Sequence, residues 1–83
     1  MSVSEVKAAI DAAMKQGEEV SSVIDAARQA IEQLQTRLQA TLEGSHRTDD
    51  IVAPLSAALE NMDQANAAVA AVGQAAAGYA AEL

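Results

Sequence analysis

The sequence predicts an all-α protein, a two-helix antiparallel hairpin that dimerises into a four-helix bundle. First, apolar residues recur at alternating steps of three and four through residues 3–41, a heptad pattern of more than five repeats. Second, a polar segment with a glycine separates this stretch from another apolar stripe. Third, 51% of the residues are apolar, yet Tyr79 is the only aromatic. Alanine supplies half of the apolar count, which favours closely packed helices over a sheet.

The first helix is predicted over about residues 3–43. Ser2 followed by Glu5 forms a capping box, in which each side chain can bond to the other residue's amide. The heptad pattern places two columns of residues on one seam of this helix. These columns are Val3, Ile10, Gly17, Ile24, Ile31 and Leu38, and Val6, Ala13, Val20, Ala27, Leu34 and Thr41.

Gly17 interrupts the seam, and a glycine inside a helix costs about 1 kcal/mol relative to alanine. It either lets another backbone approach closely or marks a bend in a long helix. The heptad phase does not slip across Gly17, and this favours close approach.

The turn is predicted over about residues 44–50, with Gly44 in a left-handed conformation just after the first helix. Thr48, Asp49 and Asp50 are all suitable N-caps for the second helix. Pro54 belongs in a first helical turn, where a missing amide does least harm, and this favours a cap at Asp50 or an irregular turn around 51–53.

The second helix is predicted over about residues 51–81. Its apolar stripe is Leu55, Leu59, Met62, Ala65, Val69, Val72, Ala76, Tyr79 and Leu83. Asn66 and Gly73 lie beside the stripe at strict heptad positions. Asn66 is either a buried residue that fixes the register or a half-exposed residue at the edge of the seam.

A turn this short makes the two helices antiparallel neighbours. If the numbers of paired residues sum to about 93, Leu55 meets Leu38 and Ala76 meets Gly17. Large residues then meet large ones near the turn, and small residues meet small ones at the open end. Val3 and Val6 project beyond the second helix, and we expect them to pack on a second subunit.

A chain of 83 residues buries too little surface to form a robust core alone, and it has no cysteine for disulfides. We therefore expect association, as a homodimer, with a different helical protein as a possible partner. The net charge of −7 argues against binding nucleic acid or anionic membrane surfaces. Residues 64–81 lack charge, but they are too rich in alanine for a membrane span.

Four acids recur every seven residues on the outer face of the first helix: Asp11, Glu18, Asp25 and Glu32. This stripe is either a docking strip for a basic partner or a solvated face. Lys7, Lys15 and Arg28 lie within three or four residues of these acids and can partly neutralise them, which favours the solvated face.

No catalytic, cofactor-binding or metal-binding motif stands out, and His46 reads as a solvated loop residue. We therefore expect no enzyme, but a non-enzymatic interaction or scaffolding module that acts through coiled-coil packing. The start MSVSEVK has no signal-peptide pattern, so we expect a cytoplasmic protein, with secretion by a specialised system left open.

MSVSEVKAAI, LEGS and the closing YAAEL together resemble short actinobacterial helical proteins without assigned function. Length and hairpin shape are also similar to the WXG100 family of exported helical hairpins. That family has a Trp-x-Gly turn and an acid four residues after a tyrosine. Here LEGSHR stands at the turn, and Glu82 follows Tyr79 by three residues. This second resemblance implies an exported or toxin-associated hairpin as an alternative function.

Overall fold

The computed structural model describes residues 1–44 and 47–83, which form two long helices. Helix α1 spans Val3–Thr41 and helix α2 spans Thr48–Glu82. The two helices pack side by side in a rod of 63 × 15 × 15 Å, with no strand among the described residues. The predicted all-α helical hairpin is confirmed.

Both ends of α1 follow local signals in the sequence. The Oγ of Ser2 accepts a hydrogen bond from the Glu5 amide at 3.1 Å, which confirms this half of the capping box. At the other end, the Leu42 amide donates to the Leu38 carbonyl at 2.8 Å. Gly44 has φ +83°, the left-handed conformation predicted for it, and the chain can therefore turn back.

Helix α2 begins at Thr48, three residues before the predicted start. The predicted cap at Asp50 is wrong, because Arg47 holds the N-cap position and makes no side-chain capping bond. Instead, the Thr48 hydroxyl donates to the Leu42 carbonyl at 2.8 Å and ties the start of α2 to the end of α1. Asp49 and Asp50 lie in the first turn, where their charge stabilises the helix dipole.

Pro54 lies inside α2, not in its first turn as predicted. The earlier start of the helix moves this residue into the second turn. Its ring removes the amide that would otherwise bond to the Asp50 carbonyl, so this part of α2 has one backbone bond fewer. The predicted role of His46 concerns a residue outside the described part of the chain.

The contact between the helices runs along one seam on each of them. All of its members are half-buried, and none of the described residues is fully buried. On α1 the main seam residues are Val6, Ile10, Met14, Gly17, Ser21, Ile24, Arg28, Ile31, Gln35, Leu38 and Leu42. On α2 they are Val52, Leu55, Leu59, Met62, Asn66, Val69, Gly73, Ala76 and Ala80.

Eight residues predicted for the contact between the helices are exposed: Ala13, Val20, Leu34, Thr41, Ala65, Val72, Tyr79 and Leu83. Val3, expected to project beyond α2, is exposed as well, whereas Val6, expected to project with it, is half-buried. The prediction selected the larger apolar side chains of α2. After Met62 it therefore assigned the contact to the heptad column of Val72 and Tyr79. In the structure α2 keeps one strict heptad phase, so Asn66 and Gly73 face α1 instead. Each helix is thus rotated about its axis relative to the prediction.

Gly17 lies in the seam, and a small side chain there would contact Val69 without a clash. A Cβ atom at this position would come 3.7 Å from Cγ1 of Val69, which is ordinary van der Waals contact. The predicted close approach to Ala76 is therefore replaced by a loose contact with Val69. Gly17 costs helix propensity without a tight backbone contact in return.

We predict that Gly17→Ala raises the free energy of unfolding by about 0.5–1 kcal/mol, because alanine favours helix and has room here. Gly17→Leu should instead lower it by about 1–3 kcal/mol, since a branched side chain collides with Val69. Urea unfolding followed by circular dichroism, at one protein concentration, measures both changes.

Gly78→Ala is the matched control, because no atom lies within 4 Å of a Cβ at Gly78, so this variant reports helix propensity alone. Destabilisation by Gly17→Ala together with stabilisation by Gly78→Ala would contradict the loose contact at Gly17.

Candidate interaction surface

One flank of the seam is polar, and three side-chain pairs bridge the helices there. Nε of Arg28 donates to Oδ1 of Asp63 at 2.8 Å, and the second guanidinium contact lies at 3.4 Å. Nε2 of Gln35 donates to Oγ of Ser56 at 3.1 Å. We call this flank the polar side; Asp25 and Asn66, described below, provide its third pair. The two residue numbers in each pair have the same total, two below the predicted one, so the three pairs share a single register.

The Arg28–Asp63 pair shifts the titration of both groups. The hydrogen bond from Arg28, aided by its charge, lowers the pKa of Asp63, although partial desolvation opposes this effect. The same hydrogen bond and the charge of Asp63 raise the pKa of Arg28. Arg28 also pairs with Glu32 one turn along α1, so the guanidinium joins the two helices and the outer acidic stripe.

Asn66 is half-buried in the seam and combines the two roles considered for it. Its Nδ2 donates to Oδ1 of Asp25 at 2.8 Å, which links the helices at one register. Its Oδ1 is inaccessible to solvent and has no hydrogen-bond partner in the described part of the chain. An unsatisfied buried carbonyl has a cost, so Asn66 contributes specificity of alignment more than stability.

The opposite flank of the seam is apolar and uncovered. Val20 and Leu34 occupy one heptad column of α1, and their side chains are 42% and 45% exposed. Val72 and Tyr79 occupy one column of α2, and they are 69% and 55% exposed. Ile51 begins the same column of α2 and is also exposed. We call these five residues the apolar face.

A groove of about 370 Å³ runs along the apolar face toward the open end of the hairpin. Val20 and Val72 form its rims, and Gly17 and Gly73 lie along its floor. Its lining contains no titratable side chain, so the groove offers packing surface but no acid–base chemistry. The full lining is Ala13, Met14, Gln16, Gly17, Val20, Ala68, Val69, Val72, Gly73 and Ala76.

The acidic stripe of α1 is partly occupied within the chain. Asp25 accepts the bond from Asn66, and Glu32 pairs with Arg28. Half of the stripe therefore serves the hairpin itself, which weakens its interpretation as a docking strip.

Within residues 1–44 and 47–83, no group of three or more metal-ligating side chains is found. In the same part of the chain, neither helix has the length and hydropathy needed to cross a bilayer. The apolar face is the candidate interaction surface of the described residues.

Sequence reasoning placed four of the five residues of the apolar face, all except Ile51, in the contact between the two helices. The strict spacing of Val52, Leu59, Asn66, Gly73 and Ala80 was the signal for the correct phase of α2. The prediction did not follow this spacing, because Asn66 and Gly73 are less apolar than Val72 and Tyr79 in the adjacent column.

Comparisons with family models, with curated proteins and with solved structures found no match to this chain.

We predict that Asp63→Asn makes the thermal midpoint less sensitive to acid. A carboxyl whose pKa is lowered on folding contributes stability above its unfolded pKa, near 3.9, and that contribution is lost as pH falls through the folded pKa. Between about pH 4 and pH 2, the thermal unfolding midpoint of the wild type should therefore fall further than that of Asp63→Asn.

Glu60→Gln removes a nearby acid that makes no ion pair among the described residues, and it should retain the wild-type acid sensitivity. Equal acid sensitivity of the wild type and Asp63→Asn would show that the Arg28 pair does not stabilise the folded chain.

Proposed function

We propose that this protein is a non-enzymatic helical interaction module that acts by self-association through its apolar face. The observation that supports the proposal is the exposure of Val20, Leu34, Val72 and Tyr79 along one flank. Two such flanks packed together would make a four-helix bundle with an apolar centre. The polar side would then remain outward, where its ion pair and hydrogen bonds tolerate water.

The area that the single chain leaves exposed supports this proposal. The chain has a mass of 8.5 kDa and exposes 6043 Å². A compact monomer of this mass exposes about 4,700 Å², so the hairpin exposes over 1,000 Å² more. A stable protein interface removes about 800 Å² from each partner, which this excess can supply.

The absence of a fully buried side chain among the described residues supports the same conclusion. An apolar side chain contributes about 1.5–3 kcal/mol when it is fully buried, and it contributes much less at the edge of a two-helix contact. A second layer of helices would enclose Ile24, Ile31 and Val69 from the side that is now open. Association therefore adds to stability both at the new interface and within the existing seam.

A heterologous partner is the second candidate, and the hairpin shape favours it because exported hairpins of the WXG100 type share that shape. In that case the apolar face would bind a helical hairpin of a different sequence. Sedimentation equilibrium separates the candidates. A dimer of this chain at micromolar concentration supports self-association, whereas a helical monomer at high concentration supports a different partner chain.

We predict that Val72→Glu raises the dimer dissociation constant at least about tenfold, since the new carboxylate must be desolvated in an apolar interface. Sedimentation equilibrium across a concentration series measures this change. Circular dichroism at the same concentrations shows how much helix each variant retains.

Ala71→Glu is the matched control. It adds the same charge one residue away, at an exposed position on the outer side of α2. We expect its dissociation constant to stay near that of the wild type. Equal weakening by the two variants would mean that total charge, rather than the apolar face, controls association.

A further inference from the structure

The apolar face changes in shape along its length. Near the turn it presents the exposed side chain of Leu34. Toward the open end it presents the groove whose floor holds Gly17 and Gly73. A Cβ atom at Gly73 would have no neighbour within 4 Å, so this floor is unoccupied within the chain.

Two copies can bring their apolar faces together with the turns at the same end or at opposite ends. With the turns at the same end, every level of one hairpin meets the same level of the other. The groove then faces the groove, and the interface encloses about twice 370 Å³ of unfilled space. Protein interiors are close-packed, and unfilled apolar space forfeits dispersion contacts.

With the turns at opposite ends, a two-fold axis near residue 25 of α1 crosses the middle of the rod. Leu34 lies about 13 Å from this axis on one side, and Gly17 lies about 13 Å from it on the other, at 1.5 Å per residue. The rotation therefore carries Leu34 of one copy to the level of the groove in the other copy. The same rotation brings Tyr79 of one copy near Ile51 of the other.

We propose that the groove is the binding site for Leu34 of a second copy of this chain, in a dimer whose turns lie at opposite ends. The inference rests on the proposed self-association. It adds the binding site, the residue that occupies this site and the relative direction of the two copies. The symmetry makes the site reciprocal, because each copy gives one leucine and receives one.

The direction of pairing can be measured by pulsed electron spin resonance. The sequence has no cysteine, so Glu43→Cys gives a single nitroxide label next to the turn. With the turns at opposite ends, the two labels lie about 50 Å apart along the rod, and with the turns at one end they lie about 20–30 Å apart across it. A long distance supports binding of Leu34 in the groove of the second copy. A short distance overturns this binding mode but still shows a dimer.

Ser22→Cys is the control for association, because it lies near the middle of the rod, where both arrangements give a distance of about 20–30 Å. A signal from Ser22→Cys therefore shows that the dimer has formed. Absence of any distance from both labels, together with a monomer in sedimentation, would overturn the proposed self-association as well. The two failures are thus distinguishable.

Binding of Leu34 in the groove can be tested by filling the groove with a larger side chain. A Cβ atom at Gly73 would meet nothing within 4 Å in its own chain, but the rest of a leucine side chain in Gly73→Leu would occupy the floor of the groove. We therefore expect the dimer dissociation constant to rise at least about tenfold. Gly78→Leu adds the same side chain on the outer side of α2 and should change the constant by less than about threefold. Adding Leu34→Ala to Gly73→Leu should recover part of the affinity, since the displaced leucine is then gone. An unchanged dimer dissociation constant in Gly73→Leu, with helicity retained, would contradict binding of Leu34 in the groove.

Discussion

Two helices in contact along a single line leave every side chain partly open to solvent, and this constraint governs the rest of the molecule. Ile24 and Ile31 lie at the centre of the seam, yet they are only half-buried. The hydrophobic contribution of such residues is well below that of an enclosed core. A chain of this length can compensate by association, and we propose that the exposed apolar face provides the surface for it.

The polar side determines which surface of the hairpin remains exposed. Arg28, Gln35 and Asp25 find partners on α2 at one common register, so the helices rotate toward this flank. Exposed ion pairs add little stability, but several bonds that agree on one register exclude its neighbours. As a consequence, Val72 and Tyr79 turn away from α1 and become available for contact with another molecule.

Local signals in the sequence were sufficient for the helices and for part of the turn. The capping residue Ser2 and the left-handed Gly44 each act within a few residues, so their roles can be read without knowing the fold. The rotation of α2 could not be read in this way, because it depends on bonds such as Arg28–Asp63 between distant residues. Bulk alone favoured Val72 over Gly73, and the start of α2 was placed late because Pro54 was assumed to need a first turn.

The central claim is that folding of this hairpin is linked to its association, and thermal melting at several concentrations tests it most directly. For a linked dimer, the midpoint rises with protein concentration, since a hundredfold increase adds about 2.7 kcal/mol of binding free energy. We expect a clear rise between about 1 and 100 µM, followed by circular dichroism. A cooperative transition of a monomer with the same midpoint at every concentration would contradict the account.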